Sequence, residues 1–247
     1  MVFALALLIA APATFETYVL AVEYDGPVRL VVNGVRVEEP TAKRVPIEHY
    51  VVPGANHVFI EPLDAKKKAP KLMARVMLVV GRDDSRSWEK DDGQVIATLK
   101  RGGAVFTVPQ SLREPLWRLG AALDYEAEIT YRAKVRELHA MLVAKDVDGY
   151  VEQLAESYAE TERLFPMVKA DALRKRDAEA LRAMLAKAAV SPLPDDKTFF
   201  VSLEAYQHLA VAMKKGTRET FKIGGSPVLI SLIKINGALR PYAAIRP

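Results

Sequence analysis

The dipeptide Asn33-Gly34, set between the Val-rich runs "VRLVV" and "VRVEE", constrains the fold more tightly than any other feature of the chain. A two-residue hairpin loop needs positive φ at both central positions, and Asn-Gly is the pair that adopts it at least cost. Two short antiparallel strands are therefore predicted around it. The residues before it agree. From Phe15 the chain alternates, with Tyr18, Leu20, Val22 and Tyr24 on one face and Thr17, Val19, Ala21 and Glu23 on the other, which predicts a strand with one core face. A second hairpin is predicted from His49–Val52 and His57–Glu61 around "PGAN". Leu72, Ala74, Val76, Leu78 and Val80 alternate along a longer strand, and "QVIATLKRGGAVFTV" predicts a third hairpin around Gly102-Gly103. About eight turn-separated strands without a helix imply a β-sandwich over residues 15–109. No Cys…Trp…Cys core supports an immunoglobulin topology, because the chain has no cysteine.

The same absence excludes disulfides, thiolate catalysis, cysteine-ligated zinc and iron–sulfur clusters. Hydrophobic residues at 50% and charged residues at 27% give the balance of a globular protein, and 247 residues suffice for two cores. The net charge of +4 is mild, and part of it sits in the run Lys66, Lys67, Lys68 and Lys71. No aromatic residues interleave those lysines to stack on bases, so the run is taken as a solvated loop and nucleic acid as no partner.

Residues Met1 to Phe15 carry no charge. A spanning helix needs about 20 apolar residues, so the run is too short for a stable membrane span. It suits the core of a signal peptide or its remnant over residues 1–14, with Ala11-Pro12-Ala13 offering small residues at a cleavage site, although "MVF" supplies no basic start. A buried first element is the alternative. Export, to the periplasm or beyond, follows from the signal reading.

Beyond Pro109 the period changes. Ala127, Tyr131, Val135, Leu138 and Leu142 form a helical stripe, with Tyr125 and Ile129 on its flank. Asp146 or Asp148 is the expected N-cap of a second helix ending near Phe165-Pro166, and a third runs from about Val168 to Ala188. After "SPLPDD" the strand period returns, with a meander turning at Lys215-Gly216, Gly224-Gly225 and Asn236-Gly237. The expected fold class is thus α+β: an antiparallel β-sandwich followed, over residues 110–247, by a three-helix plus antiparallel-sheet domain.

Three helices and a meander, with "LHAMLVAKDVDGYVEQLAESY" near the start, resemble the cone-shaped fold of the nuclear-transport-factor-like superfamily over roughly residues 120–245. The family's usual last strand with a "DG-x-W" ending is absent; "INGALRPYAAIRP" stands in its place. The resemblance implies a conical cavity that hosts enzymes such as ketosteroid isomerase as well as inert binding modules. In such a cone Tyr125, Tyr131, His139 and Tyr150 are the candidates to line a pocket. Of the nearby carboxylates, Glu126 and Glu152 fall on polar helix faces, while Glu128 has Arg132 at i+4 to pair with it.

Other candidate chemistry is sparse. His49 and His57 would need two more ligands to hold zinc, so no metal site is expected. Four aspartates in "GRDDSRSWEKDDGQ" lack the alternating spacing of a calcium loop, and Trp88 among them is a candidate interface anchor. Ser231 and Lys234 match S-x-x-K but lie mid-strand on opposite faces, without companion motifs. No catalytic residue and no cofactor motif is found. The chain is therefore expected to be an exported, non-catalytic binding protein whose partner is another protein, such as an envelope accessory or toxin-immunity protein. The alternative is a small-ligand carrier, or an isomerase- or dehydratase-like enzyme, using the cavity of the C-terminal domain.

Overall fold

A computed structural model describes residues 14–24, 26–37, 44–63, 72–82, 93–100, 102–110, 114–164, 168–205, 207–217 and 219–242. The run at residues 1–13, the lysine run, and Trp88 with its aspartates fall outside the described residues.

Two four-stranded antiparallel sheets build the N-terminal part. One has the order β4 (Arg44–Pro46), β1 (Thr14–Glu23), β6 (Met73–Arg82), β7 (Gln94–Lys100). The other has the order β3 (Val35–Val37), β2 (Val28–Val32), β5 (Gly54–Pro62), β8 (Gly102–Val108). The predicted core face of β1 holds: Tyr18, Leu20 and Val22 meet Val28, Leu30, Ile60 and Phe106 from the opposite sheet in one apolar cluster. The other face of β1 departs from expectation, since Thr17, Val19 and Ala21 are buried too, the last two beside Met77 and Val79 of β6.

Asn33-Gly34 makes the predicted turn between β2 and β3, with φ of 50° and 77° and Val32 opposite Val35. The "PGAN" hairpin does not form. Residues Glu48–Tyr50 are instead a 3-10 turn, and β5 pairs with β2 and β8. The reason lies in Asn56, whose buried side chain accepts from Val52 N at 2.7 Å and donates to Val52 O and Gly54 O at 2.8 and 2.9 Å. It satisfies the backbone that a cross-strand partner would otherwise have paired. The third predicted hairpin also fails: β7 pairs with β6 and β8 with β5, so the chain turns a corner between sheets. Gly102, at φ +114°, occupies a backbone region closed to other residues, and the corner keeps Leu99 and Phe106 in the same core.

The C-terminal part contains α1 (Leu116–Leu119), α2 (Glu128–Val143), α3 (Val147–Gln153), α4 (Ala155–Leu164) and α5 (Ala170–Lys187). The helical period expected beyond Pro109 is thus interrupted, and the stripe of Tyr131, Val135, Leu138 and Leu142 belongs to α2. Residues 120–124 lie outside any helix, and Ala121 N and Leu123 N bond instead to Lys234 O and Gln207 O. Asp146 is the N-cap, accepting from Gly149 N at 3.0 Å. The second predicted helix is divided at Leu154, which is itself buried. A four-stranded sheet follows in the order β14 (Ala238–Pro241), β13 (Ile230–Ile235), β10 (Leu209–Lys214), β9 (Phe199–Glu204), with β11 (Phe221–Ile223) and β12 (Ser226–Val228) forming a separate ribbon. All three predicted turns, at Lys215-Gly216, Gly224-Gly225 and Asn236-Gly237, form.

This sheet is buried on both faces. Ala210, Ala212, Ile230 and Leu232 pack under the helices, while Leu209, Val211, Met213 and Ile233 face Trp117 and Val35. Double burial explains the unbroken apolar run of β10, as in sheets covered on both sides. No helix among the described residues is long and apolar enough to cross a membrane.

Candidate functional site

The four predicted pocket residues lie at different depths. Tyr125 ends up 62% exposed. Tyr131 and Tyr150 are buried in the helix–sheet core, where the Tyr131 hydroxyl accepts from Asp124 N at 2.9 Å. The buried Tyr150 hydroxyl has no hydrogen-bond partner among the described residues, and burial pushes its pKa upward. His139 stands at the edge of that core, its Nε2 2.9 Å from Ser191 O and its ring edge-on to Phe221 at 4.9 Å. Tyr131 and Tyr150 are brought together within one core, and Tyr125 is left outside it. Glu128 takes its predicted partner, with Oε1 2.7 Å from Arg132 Nη2. His49 and His57 lie apart, one in the 3-10 turn and one on β5, and no group of three or more His, Asp or Glu suited to a metal occurs among the described residues.

Among the described residues, a groove lies on the outer face of the β3–β2–β5–β8 sheet. There, Val31, His57, Phe59, Gly103, Ala104 and Val105 line a shallow groove of about 310 Å³. It arises from the alternation of β5 and β8: Val58, Ile60, Phe106 and Val108 turn inward, so their neighbours point out. Two of those neighbours are apolar, and Phe59 and Val105 remain 40% and 57% exposed. Gly103 lies opposite Phe59 and supplies no side chain, so the floor is flat there.

A second constellation joins the sandwich to the rest of the chain. Glu160 of α4 is buried at the junction; its Oε1 accepts from Leu116 N and lies 3.5 Å from Arg163 Nη2, and its Oε2 lies 4.0 Å from His49 Nδ1. Burial raises the Glu160 carboxyl, against the Leu116 amide, the Tyr242 hydroxyl and Arg163. Burial together with Arg163 lowers His49 to about 4. Next to it, Glu48 points the other way, into the sandwich, where its Oε2 accepts from Tyr18 N at 2.9 Å. Burial pushes the Glu48 carboxyl up to about 7, the Tyr18 amide works against the shift, and Glu16 adds repulsion.

Among known proteins, no family model, curated protein or solved structure matches this chain. Its function rests on its own geometry.

Sequence reasoning missed both features. The groove was foreshadowed by Phe59 and Val105 at outward positions, but the pairing of β5 with β8 that brings them to one face was hidden by the hairpins assigned to each. The junction joins residues more than a hundred positions apart, His49 with Glu160, and no local pattern announces that.

Proposed function

We propose that this chain is a non-catalytic binding protein that holds an extended segment of a partner protein against the outer face of the β2–β5–β8 sheet. The observation that carries the reading is the groove around Phe59 and Val105. Small-ligand sites enclose most of their ligand, and a shallow trough on a sheet face does not. An extended backbone suits it better, because Gly103, opposite Phe59, leaves the floor of the groove without a side chain. Strand β8 also stands at the end of its sheet's strand order, where backbone pairing extends a sheet.

Export belongs to the same reading and rests on the uncharged run Met1 to Phe15. The cavity-based alternative is supported less well, because Tyr131 and Tyr150 sit among packed core side chains.

A photo-crosslinking residue placed at Val105 is the direct test, with the same residue at the exposed Ile129 as control. The reading expects a protein adduct at Val105 that Phe59→Asp abolishes. Equal labelling at both positions, or none at either in the native host, would overturn it. The mass of the mature N-terminus tests export separately: a chain still beginning at Met1 removes that part and leaves the groove untouched.

A further inference from the structure

A strand at the end of a sheet exposes unpaired backbone amides and carbonyls, and proteins guard such edges with charge, proline, short length or a bulge. Most edge strands of this chain are guarded. Strand β3 is three residues long and carries Arg36, and β4 is as short, carries Arg44 and ends at Pro46. Strand β14 holds Arg240 and Pro241, β9 ends in Glu204, and β7 ends in Lys100 and is irregular in its register against β6. In the ribbon, β11 carries Lys222 and β12 carries Pro227. Strand β8 differs from all of these: its seven residues, Gly102–Val108, include neither a charge nor a proline, and among the described residues only β5 pairs with it. The core beside β8 is open as well. On the β3 and β4 side of the sandwich, Val37, Val45 and Ile47 are buried. On the β7 and β8 side, Ile96, Ala97 and Ala104 reach the same core but are only partly buried, and Val95 and Val105 are 45% and 57% exposed. An unguarded edge and an open apolar seam thus share one side of the sandwich.

We propose that β8 pairs antiparallel with β8 of a second copy of this chain, joining the two β3–β2–β5–β8 sheets into one continuous sheet across a two-fold axis. An uncharged edge needs no countercharge and is complementary to itself, as a two-fold contact demands. The period of the strand restricts the register. Residues directly opposite must point to the same face, so the axis sets one residue of β8 against its own copy. Pairing all seven residues makes that residue the central one, Val105. Gly103 then stands opposite Thr107 of the second copy, and Ala104 opposite Phe106. The two Val105 side chains meet over the axis, and Ala104, Ile96 and Ala97 lose their remaining contact with water. Pro109, which cannot donate to a ladder, ends the pairing. One strand pair with a narrow seam is a small interface, so association of the weak, reversible kind is expected. The face bearing Phe59 stays open, so the pairing holds or fails independently of a partner segment in the groove.

Sedimentation of the purified chain is the first test. Between about 1 and 200 µM the mean mass should rise from 27.3 kDa towards twice that value. Val105→Lys sets like charges face to face at the axis and should weaken association about tenfold or more, with far-UV circular dichroism retained. Ile129→Lys, at an exposed position on α2, should leave association unchanged. Because the chain has no cysteine, single cysteines report the register. Val105→Cys brings two thiols together at a Cα separation of about 5 Å and should give an intermolecular disulfide on mild oxidation. Thr107→Cys leaves its two copies roughly 14 Å apart and should not. A monomer at every concentration, a dimer that Val105→Lys leaves intact, disulfides formed as readily with Thr107→Cys as with Val105→Cys, or growth beyond the dimer into open-ended assemblies would each overturn the pairing.

Discussion

Replacing Glu48 with glutamine tests the account of the sandwich most sharply. Its carboxyl sits near 7 in the folded chain against an ordinary value of 4.5. Between those two values the folded chain holds a proton that the unfolded chain has released. Stability from this group is thus complete below about pH 4.5 and is lost as pH rises through 7. At about 1.4 kcal/mol per tenfold, ionisation removes up to ~3 kcal/mol. Glutamine never ionises, and its carbonyl can still accept from Tyr18 N, so Glu48→Gln escapes the loss. At pH 8 the variant is expected to be more stable than the parent by about 1–3 kcal/mol, and at pH 4 the two should coincide. For a chain of this size that corresponds to roughly 3–10 °C in Tm at pH 8. Urea and thermal unfolding, followed by circular dichroism at pH 4, 6 and 8, measure it. A difference that is absent at pH 8, or equal at pH 4 and pH 8, would refute the burial argument.

Asn56→Ala strips hydrogen bonds from Val52 N, Val52 O, Gly54 O and the Asn33 amide at one stroke, and should cost about 3 kcal/mol or more in urea unfolding. Asp146→Ala removes the α3 cap and should cost about 1 kcal/mol. A Cβ on Gly149 would fall 2.3 Å from Asp146 Oδ2, so Gly149→Ala should destabilise the parent yet stabilise the Asp146→Ala protein by about 0.5–1 kcal/mol, a change of sign that a double-mutant cycle reads directly. Phe59→Ser exchanges a side chain already 40% exposed, so Tm should move by only a few degrees while capture of the partner at Val105 is lost.

Where a residue's conformation depends on its neighbours in sequence, the chain was legible. Asn33-Gly34 turns as its φ requirements dictate, Asp146 caps as its side chain allows, and Tyr131, Val135, Leu138 and Leu142 are buried as their spacing predicts. The failures share one cause. Around "PGAN" and Gly102 a turn signal was present, but whether the flanking strands pair with each other depends on more distant strands, and β2 and β6 were better partners. Strand β9 went unremarked although Phe199, Val201 and Leu203 alternate along it, because its apolar face shows only once the helices lie over it.

The sequence alone therefore determined the α+β class, the change from strand to helix period beyond Pro109, most turns, and the absence of thiol chemistry. These follow from backbone preference and local periodicity, which need no partner. Tertiary structure alone decided which strands share a sheet, that Phe59 and Val105 meet on an open face, and that Glu160 and His49 meet in a closed one. A carboxylate or an imidazole acquires its chemistry from desolvation and from charges brought close, and both exist only once distant segments have packed.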